Sequence, residues 1–287
     1  MKGSGVIFNT VYNLEQQSLD AISRTMPIYP IGPMVLMTKQ SCDKPNVHNN
    51  ITLFAENRHC LTWLDTMPSS SVLFIAFGSL ANTSAHQLRQ LAEGLEASQQ
   101  AFLWVIRPNA IIGHELSSVL PEGFVERTNE RGLIVSWVSQ VEVLSHPSVG
   151  GFLTHCGWNS ITENISIGCV PMLCWPQIAE QRLNARILVD EWKVALELIN
   201  EQESDDIIES SLVQSRIIEL LHRGKELKKR ILSLKELVSK SIQEGGSSRC
   251  YLQSLVEDLK KASRMSPELT TTFKKETNLD IVGKDCL

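Results

Sequence analysis

The sequence predicts a doubly wound parallel α/β domain, and three observations carry that reading. From Cys60 to about Lys261, short apolar runs alternate with amphipathic stretches, the pattern of a parallel sheet whose strands are joined by helices. The run Val72-Leu73-Phe74-Ile75-Ala76-Phe77 is apolar without a break and closes on Gly78, as a strand buried on both faces does. Ser84 and Gln87 then form an S-x-x-Q capping box, and Leu88, Leu91, Ala92 and Leu95 follow at helical spacing. Right-handed crossovers between such strands place helices on both faces of the sheet.

In chain order, residues 1–34 hold the apolar run Val6-Ile7-Phe8 and end in Pro27-Ile28-Tyr29-Pro30-Ile31-Gly32-Pro33. Prolines at that density fix φ and oppose helix, so the segment reads as an extended connector. Residues 35–58 show no apolar period and read as a linker loop. Within the regular region, 59–261, further strands are expected at Phe102–Ile106, Leu133–Val138, Gly151–Thr154, Val170–Trp175 and Val194–Leu198. Helical patterns fall between most of them, for example over 159–167 and 179–191. Beyond Glu209 the strands stop, and the Lys/Glu/Leu-rich stretches 212–222, 224–243 and 248–261 read as terminal helices. Residues 262–287 are polar and without period, and are expected to be a disordered tail.

Composition narrows the classes of function. The 287 residues predict about two domains, and 43% hydrophobic with 21% charged residues excludes global disorder. A net charge of −5 and a pI near 5.8 offer no basic surplus for nucleic acid or an anionic membrane. No apolar run approaches the ~18 residues of a membrane span, and residues 1–20 lack the basic and apolar regions of a secretory signal. The seven cysteines are odd in number, scattered and without a C-x-x-C pair, which predicts reduced thiols in a cytoplasmic protein. In such a protein the N-x-S/T triplets at Asn50, Asn82 and Asn164 are chance matches.

In a doubly wound sheet, ligands bind beyond the carboxyl ends of the strands. The first strand of the regular region ends in Gly78-Ser79, the third in Trp137 before Gln140, the fourth in Thr154-His155-Cys156-Gly157-Trp158-Asn159-Ser160, with Glu163 on the helix after it. The fifth ends in Trp175-Pro176 and runs on to Glu180-Gln181. Imidazole, hydroxyl, amide, carboxylate and indole groups thus converge on one rim. Gly157 permits a sharp turn, and the helix start near Asn159 and Ser160 presents main-chain donors of the kind that hold phosphate. His155 and the Ser79 hydroxyl add two further donors, so a diphosphate could be held without a metal. Neither a G-x-G-x-x-G fingerprint nor a P-loop is present, which weakens NAD and ATP readings.

Residues 137–181, WVSQVEVLSHPSVGGFLTHCGWNSITENISIGCVPMLCWPQIAEQ, closely resemble the nucleotide-sugar box of plant secondary-product UDP-glycosyltransferases. The resemblance extends through Phe77-Gly78-Ser79, Trp104–Pro108 and Leu120–Phe124, and through Asn9-Thr10 with Tyr29–Pro33. It covers nearly all of 1–261. It implies a GT-B fold in which 59–261 is the C-terminal donor domain and 1–34 a remnant of the N-terminal acceptor domain with its connector. The implied reaction is inverting transfer of a sugar from a UDP-sugar to a hydroxyl of a small acceptor such as a phenolic or terpenoid. Trp137 would stack on the uracil, with the Val138 main chain and Gln140 completing the base and ribose pocket. Glu163 would accept from the ribose hydroxyls, while Ser79, His155, Asn159 and Ser160, on the turn that includes Gly157 and Trp158, would hold the diphosphate. Glu180 and Gln181 would bind the sugar, and the final Gln leans toward glucose. The donor is a substrate, and neither a resident cofactor nor a metal is implied.

Two departures from the family pattern stand out. Ser139 occupies a position where the family has Pro, and Gly168-Cys169-Val170-Pro171 holds one residue more than the family spacing. An extra residue at the start of a strand is expected to form a β-bulge. The family's general-base His and its Asp belong to the acceptor domain, and none of the seven His here matches that position. Two competing functions follow: a truncated, inactive UDP-sugar-binding module lacking the base, and a Rossmann oxidoreductase that would bind NAD. A metal held by His146, His155 and Cys156 is a further reading, with a spacing that fits no standard zinc pattern. For single residues the plain structural readings are Trp137 as core filler, Glu163 as a helix-start carboxylate, Ser79 as a turn cap, and Cys156, Cys169 and Cys174 as small buried hydrophobes.

Overall fold

The computed structural model describes residues 5–40, 55–79, 84–108, 110–111, 115–198 and 208–265. In chain order the first elements are β1 (Val6–Phe8), α1 (Gln16–Ser23), β2 (Ile28–Pro30), α2 (Met34–Gln40) and α3 (His59–Asp65). Next come β3 (Val72–Ala76), α4 (Ala85–Ser98), β4 (Ala101–Val105), α5 (Leu116–Val119), α6 (Phe124–Thr128), β5 (Gly132–Val135) and α7 (Gln140–Ser145). They are followed by β6 (Val149–Thr154), α8 (Trp158–Glu163), β7 (Met172–Cys174), α9 (Gln181–Arg186) and β8 (Ala195–Glu197). Three helices close the described chain: α10 (Ser210–His222), α11 (Gly224–Ser241) and α12 (Ser247–Met265). The described residues divide into two compact units, one drawn from Met1–Met37 with Ser239–Leu287 and the other from Thr38–Val238.

The larger unit is the doubly wound sheet. Its strands run β5-β4-β3-β6-β7-β8, and every neighbouring pair is parallel. The chain starts in the middle at β3, winds outward through β4 and β5, then crosses back to β6 and winds the other way. The boundary between β3 and β6 is therefore the topological switch point, where crossover connections leave in opposite directions and open a crevice. All five residues of β3 are buried, and Phe74 stacks on Phe152 of β6 with centroids 5.2 Å apart. Helix α4 begins on the Ser84–Gln87 capping box and buries Leu88, Leu91, Ala92 and Leu95 beside Val213, Ile217 and Leu220 of α10. Each of these apolar sets follows the helical repeat, so one stripe reaches the core while polar positions remain outside.

The smaller unit joins the two ends of the chain. β1 and β2 form a two-stranded parallel sheet, and α12 packs on β2, with the Tyr29 hydroxyl donating to Asp258 at 2.9 Å. Ser248 is fully buried and donates to the Gly32 carbonyl at 2.6 Å.

Several expectations need correction. Residues 35–58 are not all loop: α2 starts at Met34, whose N–H donates to the Asn9 side chain at 2.9 Å, while 41–54 lie outside the described residues. Residues 239–261 do not close the sheet unit; they group with the start of the chain, because amphipathicity predicts a buried stripe without naming what buries it. Helix α12 also runs on to Met265, past the expected limit at 261, and the rest of the tail lies outside the described residues. The bulge expected at Gly168–Pro171 is absent, since β7 pairs with β6 in unbroken register, Phe152 with Met172 through Thr154 with Cys174. The chain instead widens upstream into a π-helical turn over Asn164–Gly168. There Cys169 N–H reaches back to Asn164 carbonyl at 2.7 Å, and Cys169 adopts a left-handed φ of 55°. A π turn takes up one residue without disturbing the ladder that follows.

Candidate functional site

The site lies at the switch point. β3 and β6 both end in turns that carry polar groups, and His155 fills the space between them. Its imidazole is nearly buried, at 9% exposure, with the Nε2 edge against two glycines. A Cβ on Gly78 would come within 2.6 Å of Nε2, and one on Gly157 within 2.4 Å. Gly78 also has a left-handed φ of 71°, so both steric room and backbone conformation require glycine there. Ser79, half-buried, follows Gly78 on this rim. Burial holds the His155 imidazole below its ordinary value, opposed by the Ala76 main chain and the Glu180 carboxylate. Its Nδ1 is buried and meets no hydrogen-bond partner among the described residues.

The turn that carries His155 is held from behind. Cys156 adopts a left-handed φ of 63°, its N–H bonds Thr154 Oγ1 at 3.2 Å, and its carbonyl accepts from buried Asn184 at 3.0 Å. The residue after it, Gly157, precedes α8 in extended conformation, and no side chain caps the first turn. Trp158 starts the helix and packs on Trp192 at 6.2 Å between centroids; Asn159 is exposed and Ser160 buried. On the flanks of β6, Phe77 and Trp175 meet edge to face at 5.1 Å.

A second cluster brings α7 to α8. Gln140 donates from one amide nitrogen to Ser160 Oγ at 2.9 Å and to Glu163 Oε2 at 2.8 Å. Residues 20 or more apart in sequence thus present an amide, a hydroxyl and a carboxylate side by side. Burial pushes the Glu163 carboxyl above its ordinary value, with the Gln140 hydrogen bond pulling the other way. Just before α7, Trp137 is half-buried and its carbonyl accepts from Asn57 N–H at 2.8 Å; Val138 is buried, and Ser139 precedes the helix without capping it. The Ser139 position therefore supports a regular extended approach to Gln140 despite the absence of proline.

After β7, Glu180 is exposed and Gln181 buried. The Gln181 side-chain oxygen is already engaged, accepting from the N–H groups of Gln177 at 2.9 Å and Ile178 at 3.0 Å. Only its amide nitrogen is left to meet a ligand through this side chain.

The metal reading fails on distance. His146 and His155 stand at opposite ends of β6, which at about 3.3 Å per residue separates them by about 20 Å. His146 instead pairs with Asp65 at 3.1 Å, on the rim opposite the site. Among the described residues no group of three or more His, Cys, Asp or Glu could hold a metal. Asn164 is fully buried, bonded through both amide atoms to Val170 at 2.7 and 3.0 Å, which rules it out as a glycan acceptor in the folded chain; Asn50 and Asn82 lie outside the described residues. Sequence reasoning missed Asn184 and Asn57. The signal for Asn184 is a polar residue on the buried face of its helix, next to Ala185 and one turn before Leu188; nothing local marks Asn57.

A family model described as UDP-glucoronosyl and UDP-glucosyl transferase matches residues 55–238. The chain is 42% identical over 261 residues to 7-deoxyloganetin glucosyltransferase of Catharanthus roseus, covering 90% of this chain and 52% of the relative. It is 38% identical over 270 residues to isoflavone 7-O-glucosyltransferase 1 of Glycine max, covering 90% and 53%. Among solved structures, that of a Phytolacca americana protein complexed with UDP-2fluoro-glucose and pterostilbene superposes with a TM-score of 0.72 at 36% identity, over 89% of this chain and 53% of the other. A Medicago truncatula protein complexed with UDP-glucose gives a TM-score of 0.73 at 34% identity, over 89% and 54%. The chain spans about half the length of the curated relatives it matches.

Proposed function

The chain belongs to the UDP-glucoronosyl and UDP-glucosyl transferase family, and we propose that its larger unit binds a UDP-sugar, by preference UDP-glucose, for inverting transfer to a hydroxyl of a small acceptor. Its doubly wound sheet is of the GT-B type. The single observation that carries the reading is the Gln140–Ser160–Glu163 cluster beside the His155 turn. That set suits a nucleoside diphosphate: a carboxylate accepts from ribose hydroxyls, and neighbouring donors serve phosphate oxygens. Trp137 stacks on the uracil, with the Val138 main chain and Gln140 alongside; Glu163 takes the ribose. Ser79, His155, Asn159 and Ser160 hold the diphosphate, and Glu180 and Gln181 hold the sugar hydroxyls. The Gln181 oxygen is committed to its own loop, so its amide nitrogen donates to the sugar. As the glycosidic bond breaks, charge grows on the leaving diphosphate, and donors fixed in advance lower the barrier.

Phenolic and terpenoid alcohols are the acceptor class we infer, in keeping with relatives named for isoflavone and phloretin. The compartment is the cytoplasm, a reading supported by free, buried Cys60, Cys156, Cys169 and Cys174. Thermal-shift titration tests the donor assignment: UDP and UDP-glucose raise the melting temperature, NAD does not, and a shift with NAD alone overturns it. The alternative function to be separated from this one is a donor-binding module without turnover. Incubation with UDP-[14C]glucose and a panel of flavonols and terpenols separates the two. Turnover well above a Trp137→Ala control removes the binding-only reading.

A further inference from the structure

Helix α9 buries a polar residue that no assigned ligand contact uses. Asn184 is 6% exposed and shares the buried side of the helix with Gln181 and Ala185. A buried amide costs stability unless it is bonded, and this one reaches far for its bond. Its Nδ2 donates at 3.0 Å to the carbonyl of Cys156, 28 residues earlier in the chain.

Cys156 has unusual need of such a bond. It is fully buried, and its left-handed φ of 63° is one that residues with a Cβ rarely adopt. The ladder between β6 and β7 stops at Thr154 and Cys174, short of the turn, so sheet pairing does not hold it. Two side chains do so instead. Thr154 Oγ1 accepts from the Cys156 N–H at 3.2 Å, and Asn184 donates to the carbonyl. These bonds fix the two peptide planes on either side of one Cα. The first plane joins Cys156 to His155, whose ring stands against Gly78 and Gly157. The second leads through Gly157 into Trp158, Asn159 and Ser160. Rotation of either plane would carry the donors of this turn away from one another.

Asn184 also lies on the helix that Gln181 opens, directly after Glu180. One amide therefore joins the turn assigned to the diphosphate with the element assigned to the sugar. We propose that Asn184 is a positioning residue of the donor site, holding the His155 turn through the Cys156 carbonyl in the orientation that receives a diphosphate. This role rests on the donor assignment proposed above and adds to it a residue that touches no ligand.

The test separates the diphosphate from the nucleoside. On the full chain, calorimetry gives the dissociation constant of UDP, and saturation-transfer NMR gives that of uridine. The parent is expected to hold UDP at least about a hundredfold tighter than uridine, through charge-assisted bonds to the phosphates. Asn184→Leu matches the branched heavy-atom shape of the amide and removes its donor. It is expected to lower the UDP-to-uridine ratio about tenfold, with uridine itself within about twofold of the parent. Thr154→Val, which frees the Cys156 N–H from the other side, is expected to act in the same direction. Asn184→Ala takes the place of Asn184→Leu if the larger side chain prevents folding. Retention of the parent ratio by the Asn184 variant overturns the proposal, as does an equal loss of both ligands, the mark of a purely structural role. A parent that binds UDP no better than uridine overturns the diphosphate assignment, and this proposal with it.

Discussion

Glu163 is a carboxylate that the fold desolvates and a ligand can compensate. Its folded pKa lies above the ordinary 4.5 because burial disfavours the charged form. The sign follows from linkage: the stability this group contributes is present below its unfolded value and is lost as pH rises through the folded one. Ribose hydroxyls donate to the ionised form, so UDP affinity runs the other way and strengthens as pH rises through that interval. Calorimetric titration with UDP at a series of pH values is expected to show this slope, and Glu163→Gln to flatten it while weakening binding about tenfold at neutral pH. An unchanged slope in the variant would assign the dependence to another group. The two glycines around His155 have a different role. Gly157→Ala places a methyl within 2.4 Å of Nε2 and is expected to lower stability by about 1–3 kcal/mol, read as a lower midpoint in urea. The placement of Glu163 near Gln140 and Ser160 was legible because all three sit within one long motif. The engaged oxygen of Gln181 was not, since a hydrogen bond to main-chain groups three and four residues back leaves no mark on sequence.

Among the elements, β3 is legible for a simple reason: a strand covered on both faces needs an unbroken apolar run, and it has one, whereas β6 is interrupted by Gly150-Gly151 and shows only the short run Phe152-Leu153. The π turn at Asn164–Gly168 is illegible for an equally simple one. Over five residues a 3.6-residue and a wider period select the same buried positions, and only a closing hydrogen bond separates them. The Asn164 carbonyl accepts that closing bond from Cys169 N–H, and the Asn164 side chain beside it bonds both the N–H and the carbonyl of Val170. Asn164→Ala leaves a buried N–H and carbonyl without partners and is expected to cost about 2–4 kcal/mol. The same change is expected to weaken UDP binding, because Glu163 immediately precedes this turn. A variant destabilised in urea yet unaltered in UDP affinity would show that the turn serves only the fold.

For the molecule as a whole, the described residues fall into two compact units, and every residue assigned to the donor lies within one of them, Thr38–Val238. Adding UDP at about 100 times its dissociation constant stabilises the unit that binds it by about 2.7 kcal/mol. If the units unfold separately, that stabilisation moves one calorimetric transition and leaves the other in place. A single transition that UDP moves as a whole would show that the units unfold as one.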